Sequence, residues 1–152
     1  MVNKTKIGLI QMKMSSDPKK NINIALNKIK EAAKKGAQII CLPELFLFEY
    51  FCQEEKHSNF KFAEKIPGPT TSILCSIAKK LKVIIVASLF ERRTSGVYHN
   101  TCILISEDGK LIGKYRKMHI PDDPQYYEKF YFTPGDLGFR SFKTKYGNLG
   151  TL

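Results

Sequence analysis

Apolar residues in this chain recur with two different periods, and the switches between them outline its elements. Lys6 to Gln11 (KIGLIQ) is a short apolar run bounded by polar residues, which predicts a first strand. Ser15, Ser16 and Asp17 then precede Pro18, a capping oxygen followed by proline in the first turn, and this predicts a helix start. Ile22, Ala25, Ile29, Ala32 and Ala33 follow at three- and four-residue spacing, giving one apolar stripe. Lysines cover the other face and Gly36 supplies the stop. Ala37 to Leu42 (AQIICL) is apolar on consecutive positions, as in a strand covered on both faces. Strand, helix and strand in this order predict a right-handed crossover onto a parallel neighbour.

The second part of the chain changes character. A loop rich in aromatics and charges is expected from Phe46 to Pro67. Pro69, Thr70, Thr71 and Ser72 open a second helix, with Ile73, Leu74, Ile77, Ala78 and Leu81 on its buried side. Lys82 to Phe90 (KVIIVASLF) reads as a third strand. Tyr98 to Ile105 and Lys110 to Tyr115 are strand-like runs joined by Ser106, Glu107, Asp108 and Gly109, and Asp-Gly between such runs signals a hairpin. Met118 to Arg140 has the proline, glycine and aromatic content of a long ordered loop. Tyr146 to Leu152 (YGNLGTL) looks like the beginning of another strand. No repeat, linker or low-complexity segment interrupts the pattern, so residues 1–152 read as a single α/β domain.

Composition narrows the function classes. With 152 residues, 43% of them hydrophobic, the chain has material for one globular core. No apolar stretch is long enough to span a bilayer, and no hydrophobic leader follows Met1, so a cytoplasmic protein without a membrane partner is expected. The net charge is +11, but the lysines are dispersed over polar faces. Without an arginine-rich block or a basic stripe interleaved with aromatics, no nucleic-acid partner is expected. The four cysteines (Cys41, Cys52, Cys75, Cys102) form no C-x-x-C pair, which predicts reduced thiols, with neither a disulfide framework nor a metal site.

Several residues are candidates for chemistry. Glu44 directly follows the second strand, in Leu42-Pro43-Glu44-Leu45, and ligands of open α/β sheets bind beyond the carboxyl ends of strands. A glutamate there suits a general base, although its position alone favours an exposed loop acid. Lys117 follows the hairpin, where a lysine can stabilise a developing oxyanion or simply be a solvated charge. His119 has no second histidine or cysteine at ligand spacing, which leaves it a structural or substrate-lining role. Cys52 and His57 stand five residues apart in a loop, a weak signal for a thiol–imidazole pair. His99, at a strand edge, reads as structural. No G-x-G-x-x-G, P-loop or H-E-x-x-H pattern is present.

Longer stretches carry a resemblance. Ile40-Cys41-Leu42-Pro43-Glu44-Leu45 and Gly113-Lys114-Tyr115-Arg116-Lys117-Met118-His119-Ile120-Pro121 resemble the nitrilase superfamily of carbon–nitrogen hydrolases. The following Asp122-Asp123-Pro124-Gln125-Tyr126-Tyr127-Glu128-Lys129-Phe130-Tyr131-Phe132-Thr133-Pro134-Gly135-Asp136 resembles its N-carbamoylputrescine amidase branch. The resemblance runs from the first strand to Leu152. It implies the N-terminal half of a nitrilase-type four-layer αββα sandwich, in which two sheets face each other. It also implies hydrolysis of a non-peptide C–N bond by a Glu-Lys-Cys triad with no cofactor.

By this resemblance Glu44 is the general base, Lys117 stabilises the oxyanion, and Glu128 orients the lysine or the substrate. His119, Asp122 and Tyr127 are the expected substrate-binding residues. Asp122, Asp123 and Glu128 suit a cationic amine tail, and they serve equally well as loop acids satisfied locally. The implied small-molecule partner is a carbamoylated amine, N-carbamoylputrescine yielding putrescine, carbon dioxide and ammonia in polyamine biosynthesis. Another ureido acid, an amide or a nitrile is the alternative substrate, and a homo-oligomer is implied at full length.

The family places its nucleophile in an Ile-Cys-Trp-Asp-like stretch just after a strand resembling Tyr146 to Leu152. That stretch is absent here, and none of the four cysteines matches it. The expectation is therefore a domain truncated on its C-terminal side and inactive alone. The alternative is an inert remnant, or a fragment that binds a partner through uncovered sheet.

Overall fold

The computed structural model describes residues 4–152. Its main sheet has five strands, in the order β1 (Ile7–Leu9), β2 (Ile39–Cys41), β3 (Ile84–Thr94), β4 (Val97–Ile105) and β5 (Leu111–Arg116). The β1–β2 and β2–β3 pairs are parallel, and β3–β4 and β4–β5 are antiparallel. Parallel neighbours need crossovers. These are the helices α1 (Pro18–Lys34) and α2 (Pro69–Leu81). The Asp17 side chain caps α1 by accepting the Lys19 N–H at 2.8 Å, with Pro18 in the first turn.

Period-two alternation gives the sheet two different faces. Ala25 and Ile29 of α1, with Leu74, Ile77 and Ala78 of α2, bury Ile40, Ile85, Ala87, Leu89, Ile103 and Ile105 on one of them. Each large apolar side chain buried there contributes about 1.5–3 kcal/mol. Gly8 lets α1 approach: a Cβ at this position would lie 3.1 and 3.2 Å from the methyls of Ala37 and Ala32. Cys41, Val86, Ser88, Cys102 and Tyr115 alternate to the opposite face. On that face Ile7 and Leu9 of the edge strand are 56% and 79% exposed, so apolar sheet surface stays open there.

A second, aromatic cluster ties the segment after β2 to the segment after β5. Phe51 lies 5.1 Å from Phe90 and 5.0 Å from Tyr131 between ring centroids, and Phe90 lies 5.1 Å from Phe132. Leu45, Cys52 and Ile120 complete it. Such offset and edge-on rings fix geometry as well as burying area.

The structure corrects several boundaries. Lys82 is not in a strand: it ends α2 in the left-handed conformation, φ +58°, its N–H bonded to Ala78 O, and β3 starts at Ile84. That strand continues beyond Phe90 to Thr94. The 46–67 loop contains 3₁₀ turns at Phe51–Gln53 and His57–Phe62, drawn in by the aromatic cluster. The 118–140 loop contains α3 (Glu128–Tyr131), whose Glu128 and Tyr131 are buried. Ser141–Thr144 forms an unanticipated β6, paired antiparallel with β7 (Gly147–Gly150) in a separate two-stranded sheet. Phe142 of this hairpin sits against Gly113, where a Cβ would come within 2.1 Å of its ring. No helix among the described residues is long and apolar enough to cross a membrane.

Candidate active site

Strand ends on the face opposite the helices converge at one place. The ladder between β2 and β3 extends one residue, with Leu42 N donating to Val86 O at 2.9 Å, before Pro43 turns the chain and presents Glu44. The β4–β5 ladder likewise extends, Lys117 N donating to Asn100 O at 2.9 Å. On its other side the Lys117 carbonyl accepts the Gly135 N–H at 2.8 Å. The lysine backbone is thereby clamped from both directions, and its side chain reaches over the end of β2.

There the Lys117 ammonium donates to Glu44 Oε1 at 3.2 Å and to Glu128 Oε2 at 2.9 Å. Glu128 is supplied by the first turn of α3, and its other oxygen accepts the Tyr50 hydroxyl at 2.8 Å. Side-chain exposure grades the three charges: 3% for Glu128, 27% for Lys117 and 53% for Glu44. A carboxylate as buried as Glu128 is tolerable only when both its oxygens are satisfied, as the lysine and the tyrosine do here. Glu44 Oε1 also accepts the Asn100 amide at 2.6 Å.

Glu44, Lys117, Ser88, Asn100, Cys41, Cys102 and Tyr115 line a cleft of about 410 Å³, together with Gly150, Thr151 and Leu152. A larger hollow of about 730 Å³, around His57, Phe60, Tyr98 and Phe130, contains none of Glu44, Lys117 and Glu128.

Residues 6–152 match the carbon-nitrogen hydrolase family. The chain belongs to that family. An N-carbamoylputrescine amidase of Oryza sativa subsp. japonica is 42% identical over 97% of this chain and 49% of that protein. A citrullinase of Francisella tularensis subsp. tularensis is 38% identical over 95% of this chain and 51% of that protein. The crystal structure of a carbon–nitrogen hydrolase from Helicobacter pylori G27 superposes with a TM-score of 0.92 at 42% identity, covering 96% of this chain and 50% of that one. This chain thus spans about half the length of the curated relatives it matches. Its mixed α/β architecture is that of a nitrilase-type fold.

The electrostatics of the cleft follow from burial and charge. Burial pulls the Lys117 pKa down, but the hydrogen bond to Glu128 and the charges of Glu44 and Glu128 outweigh it, and the net shift is upward. The ammonium therefore stays charged at neutral pH. Burial, and then the bond to Glu128, push the Tyr50 phenol upward, so it remains a donor. Cys52 is buried, and desolvation followed by the Glu128 and Glu44 charges pushes its thiol far upward. A thiol held neutral is not an activated nucleophile. His57 stacks edge-on against Phe130 at 5.1 Å, and no hydrogen bond joins it to Cys52 among the described residues.

Of the six sequence-derived site residues, the structure brings Glu44, Lys117 and Glu128 together. His119, Asp122 and Tyr127 stay apart from the cleft. His119 is exposed with its ring towards Phe139, Asp122 is exposed, and half-buried Tyr127 donates its backbone N–H to Cys52 O at 2.8 Å. His99 is buried, its Nδ1 2.9 Å from Thr133 O, in keeping with a structural role. Tyr50, Ser88 and Asn100 were not anticipated. One signal existed for the last of them, because His99-Asn100-Thr101 is a polar triplet in the middle of a strand and is wholly buried.

Gly135 offers a mechanical check on how the lysine is held. A Cβ there would lie 1.9 Å from the Arg116 carbonyl oxygen. Gly135→Ala is expected to displace the Arg116–Lys117 backbone and cost about 1–3 kcal/mol, read by urea denaturation of the full-length protein.

Proposed function

We propose that the full-length protein hydrolyses the carbon–nitrogen bond of a terminal ureido group, with N-carbamoylputrescine as its substrate. The observation that carries this reading is the Lys117 ammonium bridging Glu44 and Glu128 at the mouth of a cleft that Gly150 to Leu152 also line. The strand β7 ends among the residues that line that cleft. In the family the following residues include the cysteine nucleophile. The ureido assignment is supported by the names of two relatives, an N-carbamoylputrescine amidase and a citrullinase, since both substrates carry a terminal ureido group.

The steps then divide among three groups. Glu44 takes the thiol proton and the thiolate attacks the ureido carbonyl carbon, while Lys117 faces the oxyanion that forms. Collapse of the tetrahedral intermediate breaks the bond to the terminal nitrogen, which leaves as ammonia carrying the proton from Glu44. A carbamoyl thioester remains on the cysteine. Glu44 next deprotonates water, which attacks the same carbon and expels the thiolate. Glu44 returns that proton to the thiolate, and the carbamic acid so released loses carbon dioxide to give putrescine, a polyamine precursor. Glu128, with both oxygens bound, holds the lysine in place throughout.

Ammonia release tests this directly. The full-length protein is expected to release ammonia from N-carbamoylputrescine, and residues 1–152 alone are expected to release none. Turnover by residues 1–152 alone would overturn the assignment of the nucleophile beyond Leu152. Turnover of citrulline in place of N-carbamoylputrescine would keep the ureido class and replace the substrate.

A further inference from the structure

Glu44 presents two unequal carboxylate oxygens. Oε1 accepts Asn100 Nδ2 at 2.6 Å and Lys117 Nζ at 3.2 Å, while Oε2 has no hydrogen-bond partner among the described residues. Behind Asn100 the bonds continue. Its Oδ1 accepts the Ser88 hydroxyl at 2.9 Å, and Ser88 Oγ in turn accepts the Leu45 backbone N–H at 3.2 Å. Leu45 directly follows Glu44, so these bonds close a ring from the Glu44 peptide link back to the Glu44 carboxylate.

Every bond in that ring donates in one direction. Leu45 N–H points to Ser88, Ser88 O–H to Asn100, and Asn100 N–H to the carboxylate. Turning the amide over would set its carbonyl oxygen against a carboxylate oxygen, so the ring admits one orientation. The turn it closes is strained, since Leu45 has φ +49°, a conformation that non-glycine residues adopt at a cost. Asn100 is buried and stands on β4, where Phe90 of β3 is its partner and Ser88 lies two residues along the same face. Both residues are therefore anchored in the rigid sheet, while Glu44 stands on the loop.

We propose that Ser88 and Asn100 are positioning residues for the base: they hold Oε1 of Glu44 and leave Oε2 as the oxygen that exchanges protons with the thiol and with water. This rests on the reading of Glu44 as the general base. A donor bound to the ionised form of a carboxylate favours that form. The other groups facing Glu44 are Lys117 from the end of β5, Glu128 from α3, and Tyr50 and Cys52 from the segment after β2. The thiols of Cys41 on β2 and Cys102 on β4 line the same cleft. Burial holds all three thiols in their neutral form, Cys102 being pushed up to about 12. Asn100 is the donor that ties Oε1 of Glu44 to the sheet, and without it Lys117 alone holds that oxygen.

The experiment uses the full-length protein and two readouts. Urea denaturation follows the fold, and steady-state ammonia release from N-carbamoylputrescine gives kcat and KM separately. Asn100→Leu is expected to lower kcat about 10- to 100-fold while KM changes little. Ser88→Ala should lower kcat by less, and Ser88→Thr, which restores the hydroxyl, should bring it back. A folded Asn100→Leu protein with wild-type kcat overturns the proposal. If Asn100→Leu fails to fold, the Ser88→Ala and Ser88→Thr pair makes the same decision. Wild-type activity in Glu44→Gln would instead remove the general-base reading, an outcome distinguishable because it is read on a different variant.

Discussion

Glu44→Gln in the full-length protein is expected to lower kcat/KM for ammonia release by about 10²- to 10⁴-fold with little change in stability. The substitution is close to isosteric, and the glutamine oxygen still accepts from Asn100 and Lys117 as Glu44 Oε1 does. What disappears is a group able to take a proton. Since the side chain is 53% exposed, its carboxylate contributes little to stability, and the loss should fall almost entirely on chemistry. Lys117→Met makes a useful partner variant. It removes the oxyanion charge, and it also strips the buried Glu128 of its counter-charge, so it should damage both activity and stability. Steady-state kinetics with urea denaturation separates the two patterns. A Glu44→Gln protein that keeps full activity would end the proposed mechanism.

The legible parts of this fold are those fixed by local chemistry. The start of α1 follows from Asp17 and Pro18, and the β4–β5 turn from Asp108-Gly109, where Gly109 sits at φ +80°. Elements set by tertiary contact escaped. Within α3, Glu128 and Tyr131 are buried by Lys117, Tyr50 and the aromatic cluster, none of which a local pattern reveals. The strand β6 has polar residues on alternate positions and is held by β7 and by the fit of Phe142 on Gly113. The site divides in the same way. Glu44 and Lys117 were recognisable from flanking motifs that travel with them. Asn100 and Tyr50 reach their partners across 56 and 78 residues, and only the folded sheet shows that they do.

Glu91→Ala is expected to destabilise the full-length protein by about 3–5 kcal/mol, the usual result of leaving a buried charge without its partner. Glu91 lies on β3 with only 2% of its side chain exposed. Its Oε2 accepts Arg116 Nε and Thr101 Oγ1, both at 2.7 Å, and its Oε1 accepts Arg116 Nη2 and Lys114 Nζ, both at 2.8 Å. Burial alone would raise its pKa, but the bonds from Arg116, Lys114 and Thr101 reverse this and lower it from 4.5 to about 2. Because the folded-state pKa is depressed, Glu91 stabilises the protein above the unfolded pKa, and that contribution is lost as pH falls from about 4.5 through about 2. Without Glu91, Arg116 remains buried with Asp136 alone, bonded at 2.7 Å, and Arg116 directly precedes the lysine of the cleft. Activity should therefore fall along with stability. Urea titrations at neutral pH and near pH 3 check both parts: the variant should lose stability at neutral pH, and its deficit should shrink in acid. An undiminished deficit at pH 3 would show that packing, and not the ion pair, sets the cost. Replacing Glu91 and Arg116 together by methionine should cost less than Glu91→Ala, since no buried charge is then left unpaired.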